Sequence, residues 1–157
     1  GFKTGGRDNK EFKHNAVYTN CIAVGNGFDG FDHNSNRGNV TIYNCSAFDN
    51  GKNYSFSNTN PLEKLTIKNS NVLGDFGSIN ATTLDVTNNS WQDGITVDAD
   101  DFKSLDYSQL LNARNADGSL PDVTFFHLNA GSDLIDKGID VGLPFNGGAP
   151  DLGAFEF

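Results

Sequence analysis

The sequence predicts an all-β fold, and three observations carry that prediction: a four-fold internal repeat, a column of aligned aromatic residues, and a composition hostile to long helices. Four segments align without forcing, AVYTNCIAV (16–24), VTIYNCSAF (40–48), LTIKNSNVL (65–73) and LDVTNNSWQ (84–92). Each alternates apolar and polar residues with period two and then reaches an asparagine, which is the pattern of a short strand ended by a tight bend. The aligned asparagines are Asn20, Asn44, Asn69 and Asn88, spaced 24, 25 and 19 residues apart. A spacing near two dozen is one turn of a solenoid. Leucine-rich repeats need a Leu-x-x-Leu-x-Leu frame that is missing, and helical repeats need a 3.6-residue period that is also missing. What fits is a right-handed parallel β-helix of about four coils, in which stacked asparagines satisfy the polar backbone of each bend.

A second column comes from GFKTGG (1–6), GFDHNSN (30–36) and YSFSNTN (54–60), which place Phe2, Phe31 and Phe56 in register. If the phenylalanines stack inward, alternation turns Lys3, Asp32 and Ser57 outward on one face, with Gly5, Asn34 and Thr59 two residues later. His33 then points inward, as a packed or hydrogen-bonded histidine. With 18 Gly and many Asn among 157 residues, turns are frequent and helix interiors disfavoured. The repeat stops near residue 97. Residues 98–157 hold eleven acidic against three basic side chains and read as an irregular segment covering the open end of the coils, with a short helix over 106–113. The organisation is thus 1–97 for the coils and 98–157 for the capping segment of the same domain.

The formal charge of −9 argues against a nucleic-acid partner. Residues 1–14 stand apart, with Lys3, Arg7, Lys10 and Lys13 against Asp8 and Glu11. No apolar run reaches the length of a membrane span. Cys21 and Cys45 fall at equivalent repeat positions one coil apart, where stacked thiols more often stay free than bond. No Cys/His spacing suggests zinc. The acidic stretch DADD (98–101) reads as a surface loop, and the single GNGFDGFDH run lacks the tandem copies that a calcium-binding nonapeptide needs.

GFKTGG, followed one coil later by GFDHNSN and NVTIYNCSAFDNG, resembles the later coils of the family 9 polysaccharide lyases, which are pectate lyases with a right-handed parallel β-helix. The ending AGSDLIDKGIDVGLPFNGGAPDLGAFEF is similar to the C-terminus of bacterial members. The resemblance implies a secreted protein that cleaves polygalacturonate, an acidic polysaccharide, by calcium-assisted β-elimination. It carries the catalytic base over to Lys3 alone. Arg7, Asp32 and Asn34 are expected to contact substrate, Arg7 by bidentate binding of a carboxylate. The family's calcium ligands precede this lysine, so the resemblance implies Ca²⁺ as a cofactor but places no metal ligand in this chain, and it predicts that the chain alone is inactive.

A non-catalytic β-helix, either a carbohydrate-binding module or a surface adhesin, would keep the same ladders without needing a lysine at position 3. A hydrolase on this fold would need several carboxylates on the outward face, where the alignment puts only Asp32. An uncapped first coil exposes strand edges and offers a route to self-association.

Overall fold

The computed structural model describes residues 1–6, 10–119 and 121–157. The chain winds through successive coils of short strands. The first coil holds β1 (Phe2–Lys3), β2 (Ala16–Thr19) and β3 (Ile22–Val24), and the second β4 (Asp29–Asp32), β5 (Asn39–Tyr43) and β6 (Ser46–Phe48). The third holds β7 (Lys52–Ser55), β8 (Lys64–Lys68) and β9 (Asn71–Leu73), and the fourth β10 (Gly77–Ser78) and β11 (Thr83–Thr87). Equivalent strands pair in parallel, giving sheets ordered β1-β4-β7-β10, β2-β5-β8-β11 and β3-β6-β9. This is a parallel β-helix.

The bend after the second sheet follows the sequence repeat. Asn20, Asn44, Asn69 and Asn88 all adopt φ of 50–55°, the left-handed conformation that asparagine tolerates better than other non-glycine residues. The Asn69 side-chain amide donates to Asn44 Oδ1 at 3.1 Å. One residue on, a second column works differently, because each backbone N–H donates to the side chain stacked beneath it. Cys21 N–H meets Cys45 Sγ at 3.4 Å, Cys45 N–H meets Ser70 Oγ at 3.3 Å, and Ser70 N–H meets Asn89 Oδ1 at 2.9 Å. Both cysteines are free thiols, and their sulfurs serve this ladder. The Cys45 partner lowers the Cys21 thiol pKa to about 7 despite partial burial, while burial raises that of Cys45.

The aromatic column is real but shifted in its third member. Phe2 pairs with Phe31, and Phe31 pairs with Tyr54, not Phe56. The rings stack at 5.0 and 5.2 Å between centroids, and Trp91 adds a fourth ring 5.2 Å from Tyr54. Phe56 instead lies beside His33. A shift of two residues keeps the face, so the outward row reads Lys3, Asp32, Ser55 in place of the expected Ser57.

Residues 98–157 are irregular, as expected, but they lie somewhere unexpected. In the third sheet the small residues Ala23 and Ala47 and the neighbouring Val72 point into the coils, while Ile22, Val24, Phe48 and Leu73 point out. Phe102, Phe125, Phe126, Leu128, Leu134 and Leu152 pack on that outward row as a second core. The segment is therefore a strap along the flank of the solenoid. In the last coil Trp91, Ile79, Ala81 and Val86 pack against the coil core, the Trp91 ring lying beside those of Tyr54 and Phe76. The strap contains two 3-10 turns, Ala99–Asp101 and Tyr107–Leu111, the second standing where a short helix was expected. DADD forms the first of these turns, with Asp101 buried and accepting from Ser132 Oγ and Asp133 N–H.

Candidate functional site

Lys3 sits at the outward position of β1, in register with Asp32 of β4 and Ser55 of β7. Its side chain is exposed because Phe2, its neighbour, is turned in against Phe31. After Lys3, Thr4 continues the pairing, its N–H donating to Asp32 O at 3.2 Å and its hydroxyl to His33 O at 3.2 Å. The Gly-Gly that follows has a steric reason. A Cβ on Gly5 would collide with Asn34 O, and Gly6 has φ of +126°.

Asp32 and His33 form a tied pair beside the lysine. Asp32 Oδ1 accepts the Asn34 N–H at 2.6 Å and lies 3.6 Å from His33 Nδ1. The His33 ring is buried, with Nδ1 3.3 Å from Ser55 O and Nε2 3.4 Å from Thr59 O. Burial opposes the imidazolium, but the Asp32 carboxylate and the two carbonyls outweigh it and raise the His33 pKa. Burial likewise opposes the Asp32 carboxylate, yet His33, the Asn34 N–H and the charge of Lys3 together lower its pKa. His33 is thus the inward, hydrogen-bonded residue expected of it.

Lys3, Asp32 and Asn34 line one open depression of about 390 Å³, together with Phe28 and Asp29. Three of the four residues singled out from the sequence are therefore brought together. Arg7 lies outside the described residues. Phe28 and Asp29 were missed. Phe28 is 86% exposed, at the end of a loop in which Gly25 takes φ of +64°. The clue available in the sequence was Gly-Asn-Gly immediately before an aromatic residue that breaks the inward alternation.

The depression offers an exposed ammonium, a carboxylate already committed to its neighbours, and a flat aromatic ring. Such a surface suits a carbohydrate better than an apolar ligand. Among the described residues no group of three or more His, Cys, Asp or Glu is placed to hold a metal ion. The two carboxylates of the depression do not amount to a calcium site, since Asp32 is engaged by Asn34 and His33.

No family model matches the chain. Pectate lyase L of Dickeya dadantii (strain 3937) is 40% identical over 158 residues, covering 99% of this chain and 36% of that protein. The crystal structure of pectate lyase Pel9A superposes with a TM-score of 0.83 at 39% identity, over 92% of this chain and 36% of that one. The chain belongs with the family 9 pectate lyases. The likeness fits the C-terminal portion of those lyases, and the chain spans about a third of the length of the relatives it matches. A rhamnogalacturonan lyase structure matches less closely, with a TM-score of 0.62 at 28% identity over 74% of this chain and 31% of that one.

Proposed function

We propose that this chain is the C-terminal part of a calcium-dependent pectate lyase that cleaves polygalacturonate, with Lys3 as the base. The observation that supports the reading best is the place of Lys3: exposed on the outward row of the first sheet, in a depression open to a long polymer, within a chain 40% identical to a pectate lyase. In this reading an unprotonated Lys3 amine removes the proton at C5 of a galacturonate residue. The electron pair left at C5 forms a double bond to C4, the C4–O bond breaks, and its electrons leave with the departing chain, which takes up a proton. The product is a 4,5-unsaturated sugar. Calcium, when bound, would draw electron density from the uronate carboxylate. Among the described residues no group of three or more His, Cys, Asp or Glu is placed to hold it, and in this reading its ligands belong to the rest of the parent enzyme.

The reading also places the protein outside the cell, where pectin is met, and makes the isolated chain inactive. No helix of the described residues is long and apolar enough to cross a membrane. The test uses the parent enzyme with polygalacturonate and calcium, following ultraviolet absorbance of the unsaturated product. Lys3→Ala and Lys3→Arg should each lower kcat by roughly a thousandfold, within the range of a lost general base, while folding and calcium binding persist. Unchanged kcat in both variants would leave a non-catalytic carbohydrate-binding β-helix as the better reading.

A further inference from the structure

We infer that the substrate track continues past the Lys3 depression toward the later coils, with Phe28 stacking a sugar ring and Lys52 holding a uronate carboxylate. The inference rests on the galacturonan-binding reading above and extends it to two residues outside the aligned row. A second depression of about 290 Å³ opens one coil further on, lined by Asp49, Lys52, Asn53 and Asp75 among others. The two hollows adjoin. Asp29, in the first, is the register partner of Lys52, in the second. Phe28 stands on the ridge between them. Its carbonyl accepts the Lys52 N–H at 3.3 Å, and its backbone lies so close to Gly51 that a Cβ there would meet it at 2.9 Å.

The ridge is held rigidly from beneath. The Asn26 side-chain amide donates to Asn50 Oδ1 at 2.7 Å, and the Asn50 amide donates to Asn53 Oδ1 at 2.9 Å and to Ala23 O at 2.8 Å. Asn53 in turn donates to Asp75 O at 2.8 Å. This ladder fixes the loop that carries Phe28 and leaves its ring in solvent. A ring held there loses little freedom on binding, and its face can cover the C–H face of a pyranose. Two strand spacings and three residues separate Lys3 from Lys52, roughly 14 Å, the span of a few linked sugars. The carboxylates in the second hollow are partly committed, Asp49 to the Tyr107 hydroxyl and Asp75 to the Gly77 N–H. The ion pairs of the described residues join Lys13 to Glu63, Lys68 to Asp85 and His33 to Asp32, which leaves the Lys52 ammonium for an anionic ligand.

The test is steady-state kinetics of the parent enzyme on oligogalacturonates of increasing length. Phe28→Ala and Lys52→Ala should each raise KM about five- to tenfold for long substrates, with kcat within about twofold and a penalty that grows with chain length. Phe28→Tyr, which keeps the ring, should restore the KM. An active wild type whose KM is unmoved by either alanine variant, at every length, would overturn the track while the lyase reading stood. An enzyme inactive on galacturonan from the outset would overturn both.

Discussion

The coils and the strap are stabilised in opposite ways. In the coils the main contacts recur from one coil to the next: asparagines in the left-handed bend, then the Cys21, Cys45, Ser70, Asn89 column, then the stacked rings. In the strap no contact repeats. Asp151 accepts the Asp136 N–H at 2.8 Å and the Phe157 N–H at 2.6 Å, Asp136 accepts from Gly148 and Ala149, and Asp101 accepts from Ser132 and Asp133. A repeated fold spreads its stability over redundant neighbours, whereas a single-copy fold depends on individual buried acceptors.

That contrast can be broken at its strongest point first. Phe31 is fully buried between two rings, so Phe31→Ala should cost about 3–5 kcal/mol. Measured by urea unfolding, it should lower the midpoint of the coils and the strap together, because the strap has nothing to dock on without them. A strap that outlasts the coils would refute the dependence. Asp151→Ala comes next, at about 1.5–3 kcal/mol for the loss of a buried carboxylate that accepts two N–H groups. Hydrogen exchange should then rise within 98–157 while amides of the second sheet stay protected. Uniform loss of protection would mean that the strap is integral to the coils.

The smallest effect concerns pH. His33 titrates higher in the folded chain, so its contribution is complete below the unfolded value of about 6.5 and fades as pH rises through the raised folded value. Asp32 titrates lower, so its contribution holds above about 3.9 and is lost as pH falls through the lowered value. The pair is therefore worth most between about pH 4 and 6.5. The difference in Tm between wild type and His33→Gln should be larger at pH 5.5 than at pH 8.5, and a difference independent of pH would assign His33 to packing alone.

Much of the coil architecture was legible in the sequence because a repeat announces itself four times. Lys3, Asp32 and Asn34 fell out of one aligned aromatic column, and the structure puts them in one depression. The slip at Phe56 has a simple cause: Tyr54 and Phe56 are both aromatic and two residues apart, so face and hydrophobicity cannot choose between them. Phe28 was hidden because it belongs to a loop outside the aligned strands. The asparagines beneath it did repeat, since Asn26 and Asn50 are 24 residues apart and each precedes a glycine. The position of the strap was also encoded, in the large residues Ile22, Val24, Phe48 and Leu73 on the outward phase of strands whose inward phase is mostly alanine.

The strap's long-range bonds have a consequence for how such a solenoid keeps its length. Apart from the exposed Lys13–Glu63 pair, which joins the first coil to the third, the ladders of each coil refer to its neighbours, so adding or deleting one leaves most local contacts satisfied, and the ladders do not count their own turns. The strap does count. It bonds to Ser46 through Ala154, to Asn69 through Ile139 and to Asn71 through Leu152, all in the second and third coils, and Tyr107 reaches Asp49 at the corner between them. Those anchor points lie at fixed separations along a chain of fixed length, so an inserted or missing coil between them would leave buried acceptors without donors. The flank segment is the ruler of an otherwise unnumbered stack.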